Sequence, residues 1–455
     1  MRTLASPLVW SRRQFLAQTT ATLAAVGFSG QGVAANGKLH HACIGVGGMM
    51  GGVDLGNFKS HPNLEIVAIC DVDRGHLEKA GALLPNARRY RDWREMFAQE
   101  GDRIDSVNVT VPDHMHAPIT MAALAAKKHV YCQKPLCHDV AECRAISAAA
   151  KRAGVVTQLG TQHASGIGAR MAVQLLRDGA IGKIKRAVLC SNRSGAEQYR
   201  LPGPRPVQGQ PPPATLEWDL WLGTAPERPF APDIYHPVKW RAWQDFGTGW
   251  SGDIGCHVFD AVWRALGLSA PATVVAEVQK SWEESADRRA DNWPQWNHIT
   301  WTFPGNERTE GRELVLEWFD GERFPPVDVQ KIAGLEKYPE ESAMLIGTEG
   351  ALLLPLGSGP MLFPREKFQD LPRPKLPPRN HYHHFVDACL GGEKTESHFG
   401  QTGPMAEAIL LGTVAIRVPG KVLHWDAPAL SIPNEPAAER FLRRSYRPGW
   451  QVAGL

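Results

Sequence analysis

One pattern repeats from residue 41 to residue 159: a short, mostly apolar run, a turn, then a stretch with helical spacing. The runs are His41–Val46, Glu65–Cys70, Ser106–Thr110, His129–Cys132 and Val155–Leu159. Alanine-rich helical stretches such as Ile119–Lys128 and Val140–Arg152 lie between them. Strands without a polar alternate face are buried on both sides, which happens in parallel sheets covered by helices. The pattern therefore predicts an α/β domain with a doubly wound parallel sheet.

The first turn narrows the chemistry. Gly45-Val46-Gly47-Gly48-Met49-Met50-Gly51-Gly52 follows the first strand and opens a helix. Glycines there let backbone amides approach a pyrophosphate resting on the helix N-terminus. The strict G-x-G-x-x-G spacing asks for glycine at position 50, where Met50 stands. The second strand ends at Asp71, where a carboxylate accepts from ribose hydroxyls and repels a 2′-phosphate. NAD is thus expected over NADP. A later strand leaves the sheet through Thr110-Val111-Pro112-Asp113, at the edge where ligands bind.

After about residue 160 the texture changes. Arg170–Gly179 predicts a helix. Lys185–Asn192, Thr273–Gln279, His298–Phe303, Glu313–Trp318 and Ala343–Gly347 predict strands. Leu201–Thr215 is a proline- and glycine-rich loop, and His381–Leu390 and Pro404–Val418 predict helices. An α+β domain with a large, mostly antiparallel open sheet is expected. The divisions are 1–35, 38–160 and 161–455. Fifteen tryptophans are expected mainly in an aromatic core, with sugar stacking as the other use of such rings.

The net charge of +3 and the lack of a basic tract argue against nucleic acid. No apolar run is long enough to span a bilayer. Residues 1–35 read as an address: Ser11-Arg12-Arg13-Gln14-Phe15-Leu16 is a twin-arginine pattern, followed by an apolar stretch and Val33-Ala34-Ala35. Periplasmic or secreted localisation is expected, with the protein exported already folded. The eight cysteines include no C-x-x-C, and Cys256 reads as packing.

Two further motifs complete the set. Gln133-Lys134-Pro135 ends a strand. Asp253-Ile254-Gly255-Cys256-His257 places Asp253 and His257 four apart, on one face if helical. With the glycine turn, Asp71, Thr110-x-Pro112 and His116, these motifs make the chain resemble the Gfo/Idh/MocA oxidoreductase family, which includes glucose–fructose oxidoreductase and inositol dehydrogenase. The family usually shows Glu-Lys-Pro, and here Gln133 replaces the glutamate.

The resemblance implies a Rossmann domain followed by a substrate-binding and oligomerisation domain. It implies that Lys134 hydrogen-bonds the substrate hydroxyl, that His257 is the general base, and that Asp253 orients substrate or imidazole. Gly45, Gly47, Gly48, Met49, Met50, Asp71, Thr110, Pro112, His116, Gln133, Lys134 and Gln162 are the candidate cofactor residues. His163, Tyr235, Trp240, Arg241, Asp253 and His257 are the candidate substrate residues. His381, His383 and His384 lack a carboxylate cluster at ligand spacing, and no metal is expected. Family members pair through the open sheet, which implies a homodimer or homotetramer. Tyr446-Arg447-Pro448-Gly449-Trp450 is too aromatic for a free tail and is expected to dock.

The functional expectation is a carbohydrate-directed oxidoreductase with tightly bound NAD, regenerating it in place because the periplasm holds no free pool. The alternatives are a glycoside-cleaving hydrolase or lyase using transient oxidation, and a sugar-binding protein with a structural nucleotide.

Overall fold

The computed structural model describes residues 37–455 apart from 195, 197, 198, 200 and 202, so the twin-arginine segment lies outside the described residues. The first half is built from β1 (Leu39–Ile44), α1 (Gly48–Lys59), β2 (Leu64–Cys70), α2 (Arg74–Leu83), β3 (Arg88–Tyr90), α3 (Trp93–Glu100), β4 (Ser106–Val109), α4 (His116–Ala125), β5 (His129–Cys132), α5 (Val140–Ala153) and β6 (Thr157–Leu159). Its strands pair in parallel in the order β3-β2-β1-β4-β5-β6. This is the doubly wound sheet that the apolar runs predict. The order reverses between β1 and β4, which opens a crevice at their carboxyl ends. The sequence reading passed over β3, because Arg88-Arg89-Tyr90 is an edge strand with two exposed arginines and no apolar run.

The second half follows with α6 (Ile167–Arg177), β7 (Ile184–Ser191), α7 (Trp218–Leu222), α8 (Gly249–Leu266), β8 (Thr273–Val278), β9 (Asn297–Pro304), β10 (Glu313–Asp320), β11 (Glu341–Gly347), β12 (Ala351–Pro355), β13 (Met361–Phe363), α9 (His381–Cys389), α10 (Phe399–Arg417) and β14 (Leu423–His424). Eight strands pair in the order β13-β12-β11-β7-β10-β9-β8-β14, antiparallel except for β7 with β10. β9 alternates buried Ile299, Trp301 and Phe303 with half-exposed Thr300 and Thr302, so one face of the sheet is the core face. Trp301 lies on α10, its indole N–H donating to the Ala408 carbonyl at 2.8 Å. No helix among the described residues is long and apolar enough to cross a membrane.

The chain division near residue 160 is not a division of packing. Helix α9 returns to the first sheet, where Tyr382 and Phe385 pack on Phe58 of α1 and Tyr131 of β5. A buried aromatic cluster has no sequence-local partner here. The first sheet is completed by residues more than two hundred positions away.

The C-terminal tail docks on its own chain. Trp450 is buried under the Arg94 guanidinium, and Arg447 pairs with Asp219 at 2.7 Å. Arg444 reaches deepest, to Glu142 of α5 at 2.7 Å, the Thr224 hydroxyl at 2.9 Å and the His114 carbonyl at 2.6 Å. Burial and the neighbouring Glu142 push the Asp139 carboxyl up to about 7, so Arg444 is the cation that makes this acidic pair tolerable. Arg444→Ala leaves both carboxylates buried without it. A loss of about 3–5 kcal/mol in urea unfolding is expected.

Candidate functional site

The cleft runs along the carboxyl ends of β1, β2, β4 and β5 and encloses about 1010 Å³, its open mouth included. Its floor is the glycine turn. Gly45 has φ +83°, and a Cβ there would sit 2.0 Å from the Thr110 carbonyl, so only glycine lets β1 turn beside β4. The close-packing role falls to Gly51, whose added Cβ would meet the Val46 backbone at 2.5 Å. Met50 instead lines the cleft with Gly47, Gly48 and Met49. The apparent flaw in the glycine pattern is thus a one-residue shift of its last member. The N-terminus of α1 has no side-chain cap, which leaves its first amides for an anion.

Asp71 lines the same cleft, but its oxygens brace the turn. One accepts from the Val46 and Gly47 amides at 3.0 and 3.1 Å, and the other from the Asp73 amide at 2.9 Å. A carboxylate has about four acceptor sites, so capacity for a ribose hydroxyl is left. Beside it, Asp73, His76 and His236 bring ligand-type atoms within 4.8 Å of one another.

Gln133 replaces a glutamate for a visible reason. Its amide N–H group donates to both oxygens of buried Asp54 at 2.9 Å, and Asp54 also accepts from Thr110 at 2.7 Å and Tyr382 at 2.8 Å. Burial pushes the Asp54 carboxyl up to about 6 despite these donors. A glutamate at 133 would set a second carboxylate against it.

The roof of the cleft comes from Leu220, Trp221, His236, Pro237, Trp240 and Arg241. It is tied down where the Arg74 amide donates to Thr215 at 2.9 Å, the Glu217 amide to Val72 at 3.0 Å, and Arg91 pairs with Glu217 at 2.5 Å. The Arg241 guanidinium stacks on Trp240, its carbon 4.2 Å from the ring centre.

At the inner end, Lys134 meets α8. Its ammonium donates to Asp253 Oδ1 at 2.6 Å and to the Asp253 carbonyl at 3.2 Å. Tyr199 donates its hydroxyl to Asp253 Oδ2, and Arg241 lies 3.5 Å from the same oxygen. Burial alone would raise the Asp253 carboxyl, but Lys134 and Arg241 hold it well below the usual range. Thr248 donates its amide and hydroxyl to Asp113 Oδ2 at 3.1 and 2.9 Å, while Asp113 Oδ1 is buried without a partner.

His257, one turn along α8, lines a neighbouring cavity with Gln162, His163, Ser342 and the 354–359 loop. The His163 and His257 rings meet edge to face at 5.4 Å. Burial, then Lys134 and His163, lowers the His257 pKa well below its ordinary value, and its Nδ1 has no partner. The imidazole is neutral at neutral pH.

Three candidate residues stand elsewhere. Tyr235 lies within the core of the roof, among Trp218, Trp243 and Phe246, and lines neither cavity. An aromatic-rich segment reads the same whether its rings face a sugar or one another. His116 is buried between the carbonyls of Pro135 at 2.5 Å and Val111 at 2.8 Å. Carbonyls only accept, so both ring nitrogens donate, and the pKa is raised although burial opposes it. His116 therefore pins together the loops that carry Asp113 and Lys134. Gln162 donates to the Tyr131 and Tyr382 hydroxyls and faces the second cavity, away from the glycine turn. The sequence reading missed Asp54, Tyr199 and the buried state of Asp113, for which no local signal exists. His381 and His383 serve other contacts: His381 meets the Leu159 carbonyl, and His383 meets Ser60, while His384 Nε2 is buried without a partner.

Residues 39–161 match the oxidoreductase family's NAD-binding Rossmann fold, and residues 168–323 match its C-terminal alpha/beta domain. D-apiose dehydrogenase of Paraburkholderia graminis is 35% identical over 118 residues, 26% of this chain and 31% of its own length. Levoglucosan dehydrogenase of Pseudarthrobacter phenanthrenivorans is 32% identical over 170 residues, 37% and 34% of the two chains. This chain spans about a third of the length of the curated relatives it matches. The aldose-aldose oxidoreductase from Caulobacter crescentus, solved with glycerol, shares the fold with a TM-score of 0.56 at 19% identity, over 85% of this chain and 100% of that one.

Two outcomes are expected. Gln133→Glu loses about 1–3 kcal/mol of stability at about pH 8. Raised carboxyls lose their stabilising proton as pH rises through the folded value, so the deficit shrinks toward about pH 5; chemical unfolding at both pH values checks this. The His257 ring signals in NMR do not titrate between about pH 6 and 8.

Proposed function

Because the chain belongs to the Gfo/Idh/MocA oxidoreductase family, with its NAD-binding Rossmann domain, we propose that it oxidises and reduces a sugar or glycoside ring hydroxyl while keeping NAD bound. The observation that carries this reading is the Lys134–Asp253 pair at the inner end of a glycine-floored cleft, with a neutral His257, its Nδ1 unpartnered, one turn along the same helix in the neighbouring cavity. The glycine cradle and the uncapped helix N-terminus fit the pyrophosphate of NAD. Bound NAD supplies the hydride acceptor.

The chain's own groups do the rest. Two of the three Lys134 N–H bonds are spent on Asp253, which leaves one for the substrate hydroxyl oxygen. His257, neutral, accepts the hydroxyl proton. Asp253, held ionised, fixes the lysine. The cavity lined by His163, His257 and Ser342 gives the rest of the sugar a place.

The roof supports the reading that the nucleotide is retained: its Thr215 and Glu217 are tied to Arg74, Val72 and Arg91, and a roof held in this way would slow nucleotide exchange, so that each turnover restores the cofactor in place. All eight cysteines are free thiols, in keeping with folding in a reducing compartment before export through the twin-arginine signal to the periplasm or beyond. A homodimer or homotetramer joined through the outer face of the large sheet completes the reading, and sedimentation checks it.

The test is to purify the mature chain without added nucleotide, denature it, and identify what is released. Stoichiometric NAD or NADH is expected, and a nucleotide-free protein overturns retention. Lys134→Ala is expected to keep its nucleotide and lose about 10²–10⁴-fold in sugar oxidation; undiminished turnover overturns the role of Lys134. Release of the aglycone from an aryl glycoside without net NADH would replace this reading with a glycosidase that oxidises transiently.

A further inference from the structure

A sugar CH–OH that becomes C=O gives up a hydride and a proton. In a buried site the proton needs a resting place, because uncompensated charge is costly there. His257 is held neutral and Asp253 ionised, so neither can store it. Asp113 differs. It is 1% exposed and lines the cleft. Its Oδ2 is locked by both Thr248 donors, and its Oδ1 is buried and unpartnered.

The charged and titratable groups acting on it come from three directions: Lys134 after β5, Arg241 in the roof, and Asp253 with its partner Tyr199 at α8. Burial, then the like charge of Asp253, pushes the Asp113 carboxyl up to about 7, against the pull of Arg241 and Lys134. With the pyrophosphate on the glycine turn and the adenosine toward Asp71, the far half of a dinucleotide extends toward the ends of β4 and β5, where Asp113 and Lys134 stand.

We propose that Asp113 is the proton store of this site, ionised when the cleft holds NAD⁺ and protonated at Oδ1 when it holds NADH. The inference rests on NAD being the bound nucleotide. The balance is closed: alcohol, NAD⁺ and carboxylate become carbonyl, NADH and carboxylic acid, the hydride going to the nucleotide and the hydroxyl proton, taken first by His257, coming to rest on Oδ1. The charge of the buried cluster is the same before and after. An enzyme that keeps its nucleotide between two half-reactions would thereby keep the proton that the second one needs.

The test uses the mature full chain loaded with NAD⁺ or with NADH. Replacing NAD⁺ by NADH in weak buffer at about pH 7, with an indicator dye, should take up about one proton per site, and Asp113→Asn should take up none. The NADH-minus-NAD⁺ infrared difference spectrum should gain a protonated-carboxyl C=O band that Asp113→Asn lacks. No uptake in the wild type, or uptake and band retained in Asp113→Asn, overturns the proposal. Should Asp113→Asn fail to fold, the wild-type band alone decides: its absence overturns the proposal, and a shift of its frequency in Thr248→Val, which removes the hydroxyl donor to Oδ2 and keeps the amide donor, supports it. A chain that holds neither nucleotide overturns the NAD reading itself, and the store with it.

Discussion

The buried pair between Lys134 and Asp253 joins the two halves of the molecule at the point where chemistry is proposed. One partner ends a strand of the parallel sheet and the other lies on the central helix of the second half, 2.6 Å away. A buried pair recovers its desolvation cost only with further hydrogen bonds. Here Tyr199 and Arg241 complete Asp253, and Arg241 belongs to the roof. Floor, roof and α8 therefore converge on one carboxylate.

The same economy of placement holds around that centre. His116 clamps the loops of Lys134 and Asp113 through two carbonyls. Asp54 gathers Thr110, Gln133 and Tyr382, tying β4, β5 and α9 to α1. The tail does this from outside: Arg444 and Arg447 bind α5 to the segment that leads into the roof. The cleft is shaped by polar groups held in pairs, so its geometry is sensitive to charge at positions that never touch a ligand.

Much of this was legible along the chain. The apolar runs gave the parallel sheet, and glycines 45 to 51 with Asp71 gave the floor of the cleft. The Asp253–His257 spacing placed both on one helix, which α8 is. Other features were not legible. Tyr235 sits in the core of the roof, and His116 holds backbone. Residue type and neighbourhood in sequence do not distinguish a ring facing a ligand from a ring facing another ring.

The sequence by itself determined what depends on local periodicity and covalent geometry: strands buried on both faces, a turn that only glycine can make beside β4, and two side chains one helical turn apart. Only the tertiary structure decided which groups share a buried environment. Asp253 is held ionised by Lys134 and Arg241, while the neutral state of His257 and the raised Asp113 arise first from burial and then from charges that the fold brings near, Lys134 for His257 and Asp253 for Asp113. Electrostatic energy depends on distance and burial, and neither is a property of sequence position.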